Sequence, residues 1–151
     1  MNNTPIVILL AEDDSGHAKL VERNLKRGGF VNEVVHVPDG RQALDYVFAE
    51  GRYAGRTRNG PLLLVLDINM PQVDGVEVLR RIKSDPATDK LPVIMLTTTD
   101  DPREVARCYE FGCSVYVTKP VAYDAFVEAI HRLGLFLQVV TVPREDGTQK
   151  A

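Results

Sequence analysis

Cysteine is scarce in this chain, positive charge is not in excess, and no apolar run approaches the length of a membrane span. Each scarcity excludes something. Cys108 and Cys113 are separated by four residues and have no histidine nearby, so neither a CxxC redox pair nor a zinc site is indicated. They read as two small buried thiols in a reducing cytosol. A net charge of −3 argues against nucleic acid as a direct partner, which calls for a basic face. The short apolar runs argue against a membrane span, and the start at 1–4 has no signal-peptide character, so a cytoplasmic location is expected. No internal repeat or low-complexity segment is found. What is present is ordinary: 151 residues, 44% hydrophobic and 26% charged, enough for one domain with a sizeable core.

Apolar runs of strand length alternate with segments of helical period. "IVILLA" (6–11), "LLLVL" (62–66) and "PVIMLT" (92–97) are nearly continuous in apolar character, which implies burial on both faces and a parallel sheet covered by helices. "NEVVHV" (32–37) and "SVYVT" (114–118) are weaker strands of the same kind. Between them lie amphipathic stretches. Ala18, Val21 and Leu25 share one helical face before Gly28-Gly29; Ala43, Leu44, Val47 and Phe48 form a second stripe, and Val78, Leu79 and Ile82 a third. The fourth opens on Asp101-Pro102, with Glu104 placed to complete a capping box and Gly112 to end the helix. The last, from about Tyr123, repeats Phe126, Ile130, Leu133 and Leu137. Five strand–helix units with right-handed crossovers predict an α/β fold, a doubly wound five-stranded parallel sheet. The Gly- and Arg-rich stretch 51–61 reads as a solvated loop.

In such a sheet, ligands bind beyond the carboxyl ends of the strands. The first apolar run ends in Glu12-Asp13-Asp14, the third in Asp67, the fourth in Thr97-Thr98-Thr99 and the fifth in Lys119-Pro120; the second ends in Val37-Pro38, with no reactive group. Taken singly, each has a plain explanation. The acidic triplet serves as well for a helix cap as for a metal, and Thr97 for a satisfied strand-end hydroxyl. Together, neighbouring carboxylates repel unless a proton or cation intervenes, and one or two carboxylates with retained water are what Mg²⁺ prefers. A lysine and a hydroxyl alongside supply donors for an anion, and the combination points to phosphoryl chemistry.

At these residues, in "ILLAEDD", "LLLVLDINMPQVDG", "VIMLTTT" and "VYVTKP", the sequence resembles the receiver domain of two-component response regulators. The resemblance covers 6–137, leaving a short tail at 1–5 and an extension at 138–151. It implies a flavodoxin-like sheet of order 2-1-3-4-5. It also implies that Asp67 takes a phosphoryl group from a phosphohistidine, that Asp13 is the main metal-binding acid, that Glu12 holds a metal-bound water and that the backbone carbonyl of Asn69 completes the ligands to Mg²⁺. Lys119 would neutralise the phosphoryl oxygens, Thr97 would hydrogen-bond one of them, and Tyr116 would be the switch aromatic that follows Thr97 inward. The bond from Lys119 to Pro120 would be cis. Asn69 and Thr99 occupy positions that tune the loss of the phosphoryl group.

The residues after Leu137, "QVVTVPREDGTQKA", contain no room for a DNA-binding or catalytic effector, so the expected output is association with another protein, or else the passing or draining of phosphate. The 51–61 loop and the "LGLFLQVVTVP" tail resemble a narrower group, the single-domain regulators that partner phytochrome-type histidine kinases. Leu135, Phe136, Val139, Val140 and Val142 exceed what one helical face needs. They either cover the sheet edge of the same chain or form a homodimer through the last helix, the fourth helix and the fifth strand. Two rival functions are an inert receiver-like interaction module and a hydrolytic phosphotransferase; the latter normally places a second acid where Asn69 stands. The protein is therefore expected not to be a turnover enzyme.

Overall fold

The computed structural model describes residues 5–146. Its strands are β1 (Val7–Ala11), β2 (Val34–Val37), β3 (Leu62–Leu66), β4 (Val93–Thr97) and β5 (Val115–Thr118). They alternate with α1 (Ser15–Arg27), α2 (Gly40–Phe48), α3 (Gly75–Ser84), α4 (Pro102–Phe111) and α5 (Tyr123–Leu137). All pairings are parallel and the order is β2-β1-β3-β4-β5. The three continuous apolar runs became the three central strands, and every residue of β3 and β4 is buried. Side chains alternate between two cores: Leu62, Leu64 and Leu66 face one with α2 and α3, whereas Leu63 and Val65 face the other with α1 and α5. That alternation is the direct signature of helices on both faces.

Helix starts follow local chemistry. Asp14, Asp39 and Asp74 cap α1, α2 and α3 by accepting from the backbone N–H three residues on. Asp101 caps α4 through the nearer Arg103 N–H, with Pro102 in the first turn, and the Glu104 carboxylate lies by Arg107 rather than completing a box. Gly112, at φ 103°, ends α4 in the left-handed conformation that favours glycine. Its successor Cys113 donates to the Cys108 carbonyl, so the two thiols are brought together by a helix C-terminal turn and both are buried and free.

The expected character of the 51–61 loop needs correction. The 51–61 stretch is not simply solvated: Gly51–Tyr53 forms a short 3-10 turn, and Arg56 lies 4.1 Å over the Tyr46 ring. Arg56 donates to both oxygens of Glu145 at 2.8 and 2.9 Å, while Arg144 bridges Pro61 and the Glu145 N–H reaches Gly60. The loop and the C-terminal extension thus fasten each other at the amino end of β3. The apolar tail divides: Val142 is buried and Val140 packs on the α1/α5 core, whereas Leu135, Phe136 and Val139 remain exposed.

Candidate functional site

Strand register assembles the site. Ala11 pairs with Leu66, so the residues that follow, Glu12 and Asp67, stand level at the carboxyl ends of adjacent strands. The ladder continues past the strands, with the Asp67 N–H donating to Ala11 and the Lys119 N–H to Thr97 at 2.7 Å. Thr97 pairs with Thr118, which delivers Lys119 beside them from β5. Gly75, at the start of α3, packs so closely that a Cβ there would come 2.0 Å from the Asp67 carbonyl oxygen. Only glycine allows α3 to begin against the backbone that carries Asp67.

The Lys119 ammonium is buried and donates to Glu12 Oε1 at 2.5 Å and Asp67 Oδ2 at 3.1 Å. A third contact, 3.2 Å to His17 Nδ1, comes from α1 and was not anticipated from the sequence. The one available signal was a histidine one turn into the helix that follows the acidic triplet. Glu12 is partnered on both oxygens, since Oε2 accepts the Asp14 N–H at 3.1 Å. Burial raises the Glu12 carboxyl above the usual range, against the lowering pull of Lys119, and the Asp67 charge adds to the rise. Asp14, by contrast, is held low by accepting the His17 N–H, which makes it a cap rather than a ligand. Of the acidic triplet, Asp14 thus serves as the helix cap.

Two buried polar atoms among the described residues have no hydrogen-bond partner at the site: Asp67 Oδ1 and Thr97 Oγ1. Asp13 is exposed at the rim, and ligand atoms of Glu12, Asp13 and Asp67 all lie within 4.8 Å of one another. Three clustered carboxylates are hard oxygen donors whose mutual repulsion a divalent cation relieves, so the donor set fits such an ion. Asn69 is exposed on the following loop, its amide 3.5 Å from Thr99 Oγ1, so these two side chains face each other. Tyr116 packs on the α2/α3 core and donates its hydroxyl to the Thr99 carbonyl at 2.5 Å. Burial pushes its phenol up to about 12. No peptide bond among the described residues is cis, so the expected cis bond before Pro120 is not found. Lys119 is aimed instead by the ladder bond to Thr97 and by its three acceptors.

The sequence profile of the response regulator receiver domain matches residues 8–131. The chain belongs to this family. Response regulator Rcp1 of Synechocystis is 34% identical over 94% of this chain and 96% of its own length. A receiver domain of known structure from Rhodospirillum rubrum is 46% identical with a TM-score of 0.85, covering 91% of this chain and 97% of that one. The phosphorylated cyanobacterial phytochrome response regulator RcpA is 33% identical with a TM-score of 0.82, covering 91% and 97%. Rcp1 itself has been solved in a Mn²⁺-bound form, at 32% identity and a TM-score of 0.83, covering 92% of this chain and 99% of that one. This receiver domain is thus related to phytochrome response regulators. Among its described residues no helix is long and apolar enough to cross a membrane.

Proposed function

We propose that this receiver is a single-domain response regulator that accepts a phosphoryl group on Asp67 from a histidine kinase and signals by phosphorylation-dependent association with protein. The carrying observation is the pair of unpartnered buried atoms, Asp67 Oδ1 and Thr97 Oγ1, next to a buried ammonium. One is an open nucleophile and the other an open donor, as a site awaiting an anionic group requires. Asp67 Oδ1 forms the new O–P bond as the P–N bond of the kinase phosphohistidine breaks, and the departing imidazole keeps the electron pair and takes a proton. Lys119 turns one N–H from Asp67 Oδ2 toward a phosphoryl oxygen, and the Thr97 hydroxyl donates to another. Glu12, Asp13, Asp67 and the Asn69 carbonyl would hold Mg²⁺, which supplies positive charge against the entering oxygens.

Thr97 and Tyr116 then form the switch. Tyr116 is tied to the Thr99 carbonyl, two residues past Thr97, so movement of Thr97 toward phosphate carries the β4–α4 turn and the ring with it. Exposed Leu135, Phe136 and Val139, with Tyr109 and Val115 on α4 and β5, support a symmetric homodimer. Similarity to Rcp1 and RcpA supports a phytochrome-type kinase, bacterial in form, as phosphodonor in the cytoplasm. Transfer profiling against candidate kinases tests the donor, and light scattering with and without beryllofluoride tests the dimer. Incubation with acetyl phosphate and Mg²⁺ separates the rivals. One labile phosphoryl group that Asp67→Asn abolishes supports the receiver; no incorporation indicates an inert module, and continuous phosphate release a hydrolase.

A further inference from the structure

The Lys119 contacts account for all three N–H donors of an ammonium: Glu12 Oε1, Asp67 Oδ2 and His17 Nδ1. An ammonium has only donors, so His17 Nδ1 accepts, and the ring proton is thereby assigned to Nε2. We propose that His17 is a positioning residue for phosphoryl acceptance, fixing Lys119 through an uncharged third acceptor. The proposal rests on Asp67 as the acceptor and adds a residue from α1 to that machinery.

Its chemistry explains why the third acceptor is an imidazole. Glu12, Asp13 and Asp67 already crowd the site with carboxylates. A fourth acid would oppose an incoming phosphoryl group. An apolar side chain would leave one N–H to water and free the ammonium to swing outward. There is space for that swing, because a cavity of about 360 Å³ opens beyond Lys119, lined by His17, Thr98, Pro120 and Phe126. His17 and Lys119 both line this opening, and their 3.2 Å contact holds the ammonium at its wall. When Lys119 turns one N–H from Asp67 to the phosphoryl group, Glu12 and His17 still hold the other two.

The ring is itself held. Its edge meets Phe126 of α5 at 5.7 Å between centroids and 64°, and its backbone N–H donates to the Asp14 cap at 3.0 Å. The helices that carry these two rings are in close contact farther along. A Cβ on Gly28 would lie 2.5 Å from the His131 carbonyl oxygen, and one on Gly134 2.8 Å from that of Leu25. Packing of α1 on α5 therefore sets the place of His17 relative to β5.

The test compares His17→Leu, which removes the acceptor, with His17→Asn, which keeps one, using acetyl phosphate and Mg²⁺. The initial rate of phosphorylation is expected to fall about three- to tenfold in His17→Leu and to return within about twofold of wild type in His17→Asn. An unchanged rate in His17→Leu, or an equal loss in both variants, overturns the proposal. A second readout does not depend on phosphorylation. The ¹H–¹⁵N signal of the Lys119 ammonium, assigned by its loss in Lys119→Arg, is expected to be protected from solvent exchange in wild type and His17→Asn and unprotected in His17→Leu. Equal protection in all three overturns the role of His17 even if phosphorylation proceeds. Failure of wild type to take up phosphate with the protection pattern intact overturns Asp67 as acceptor and leaves the His17 contact standing.

Discussion

Buried charge is handled differently at the two ends of this sheet. At the amino ends of the strands, Arg56, stacked over the Tyr46 ring, forms a bidentate pair with Glu145, and both carboxylate oxygens are taken. At the carboxyl ends, Lys119 faces two carboxylates and a histidine, yet Asp67 Oδ1 and Thr97 Oγ1 lack partners. The first cluster is closed around its carboxylate: both Glu145 oxygens are used to join a loop to the C-terminal extension, and its one unpartnered atom, Arg58 Nε, is a donor 4.0 Å from that same carboxylate. The second is open, with an excess of negative charge and an unused donor. A closed ionic cluster holds structure together, whereas an open one tolerates instability so that a ligand can complete it.

The difference should first appear in stability. Glu145→Ala leaves the Arg56 guanidinium, whose side chain is 13% exposed, with only the Tyr46 and Val47 carbonyls and no carboxylate partner, and is expected to cost about 3–5 kcal/mol in urea unfolding. Replacing both partners by apolar residues should cost far less. Asp67→Asn, at the open cluster, is expected to cost under about 1 kcal/mol, because Lys119 keeps two acceptors and one repelling charge is gone. An equal cost at both ends would break the comparison.

Gly75→Ala should come next. Its Cβ would meet the Asp67 carbonyl at 2.0 Å, so α3 or the Asp67 backbone must move, at about 1–3 kcal/mol. Slower phosphorylation is expected alongside, which separates this variant from an equally destabilising change in the distant core.

A smaller effect follows from the metal. Mg²⁺ at about five times its Kd is expected to stabilise the protein by about 1 kcal/mol, and Asp13→Asn should remove that gain. The pH dependence has a definite sign. The Glu12 carboxyl is raised in the folded state, so its contribution favours folding at pH below the unfolded value and is lost as pH rises through the folded one. Metal-free protein therefore loses stability from this group as the pH climbs out of the acid range. Glu12→Gln should flatten that part of the profile, read from thermal midpoints with and without Mg²⁺. The smallest effect concerns Cys108, whose thiol burial pushes up to about 11. At pH 8 it should resist iodoacetamide in the native state and react on unfolding.

Much of this was legible in the chain, for reasons that residues make plain. "LLLVL" and "PVIMLT" are apolar on both faces because both faces are covered, so continuity alone marked the central strands. The reactive side chains were found by reading the residue after each run, and parallel register brought four of them to one end. Pairings across long sequence separation were not legible. Arg56 and Glu145 are 89 residues apart, and Glu12 and Lys119 are 107 apart. His17 depends on how α1 lies against α5, which no periodic pattern records. The split of the tail was hidden too, because Val140 and Val142 look like Leu135 and Phe136 until the chain turns beneath the sheet.

The residue that carries the phosphoryl group decides the function of this site. An aspartyl phosphate is an acyl phosphate, and borohydride reduces it to homoserine, which marks the acceptor in a peptide map. After acetyl phosphate and Mg²⁺, conversion is predicted at Asp67 alone, with none in Asp67→Asn. Conversion at Asp13 instead, or no conversion while the fold is intact, would contradict it.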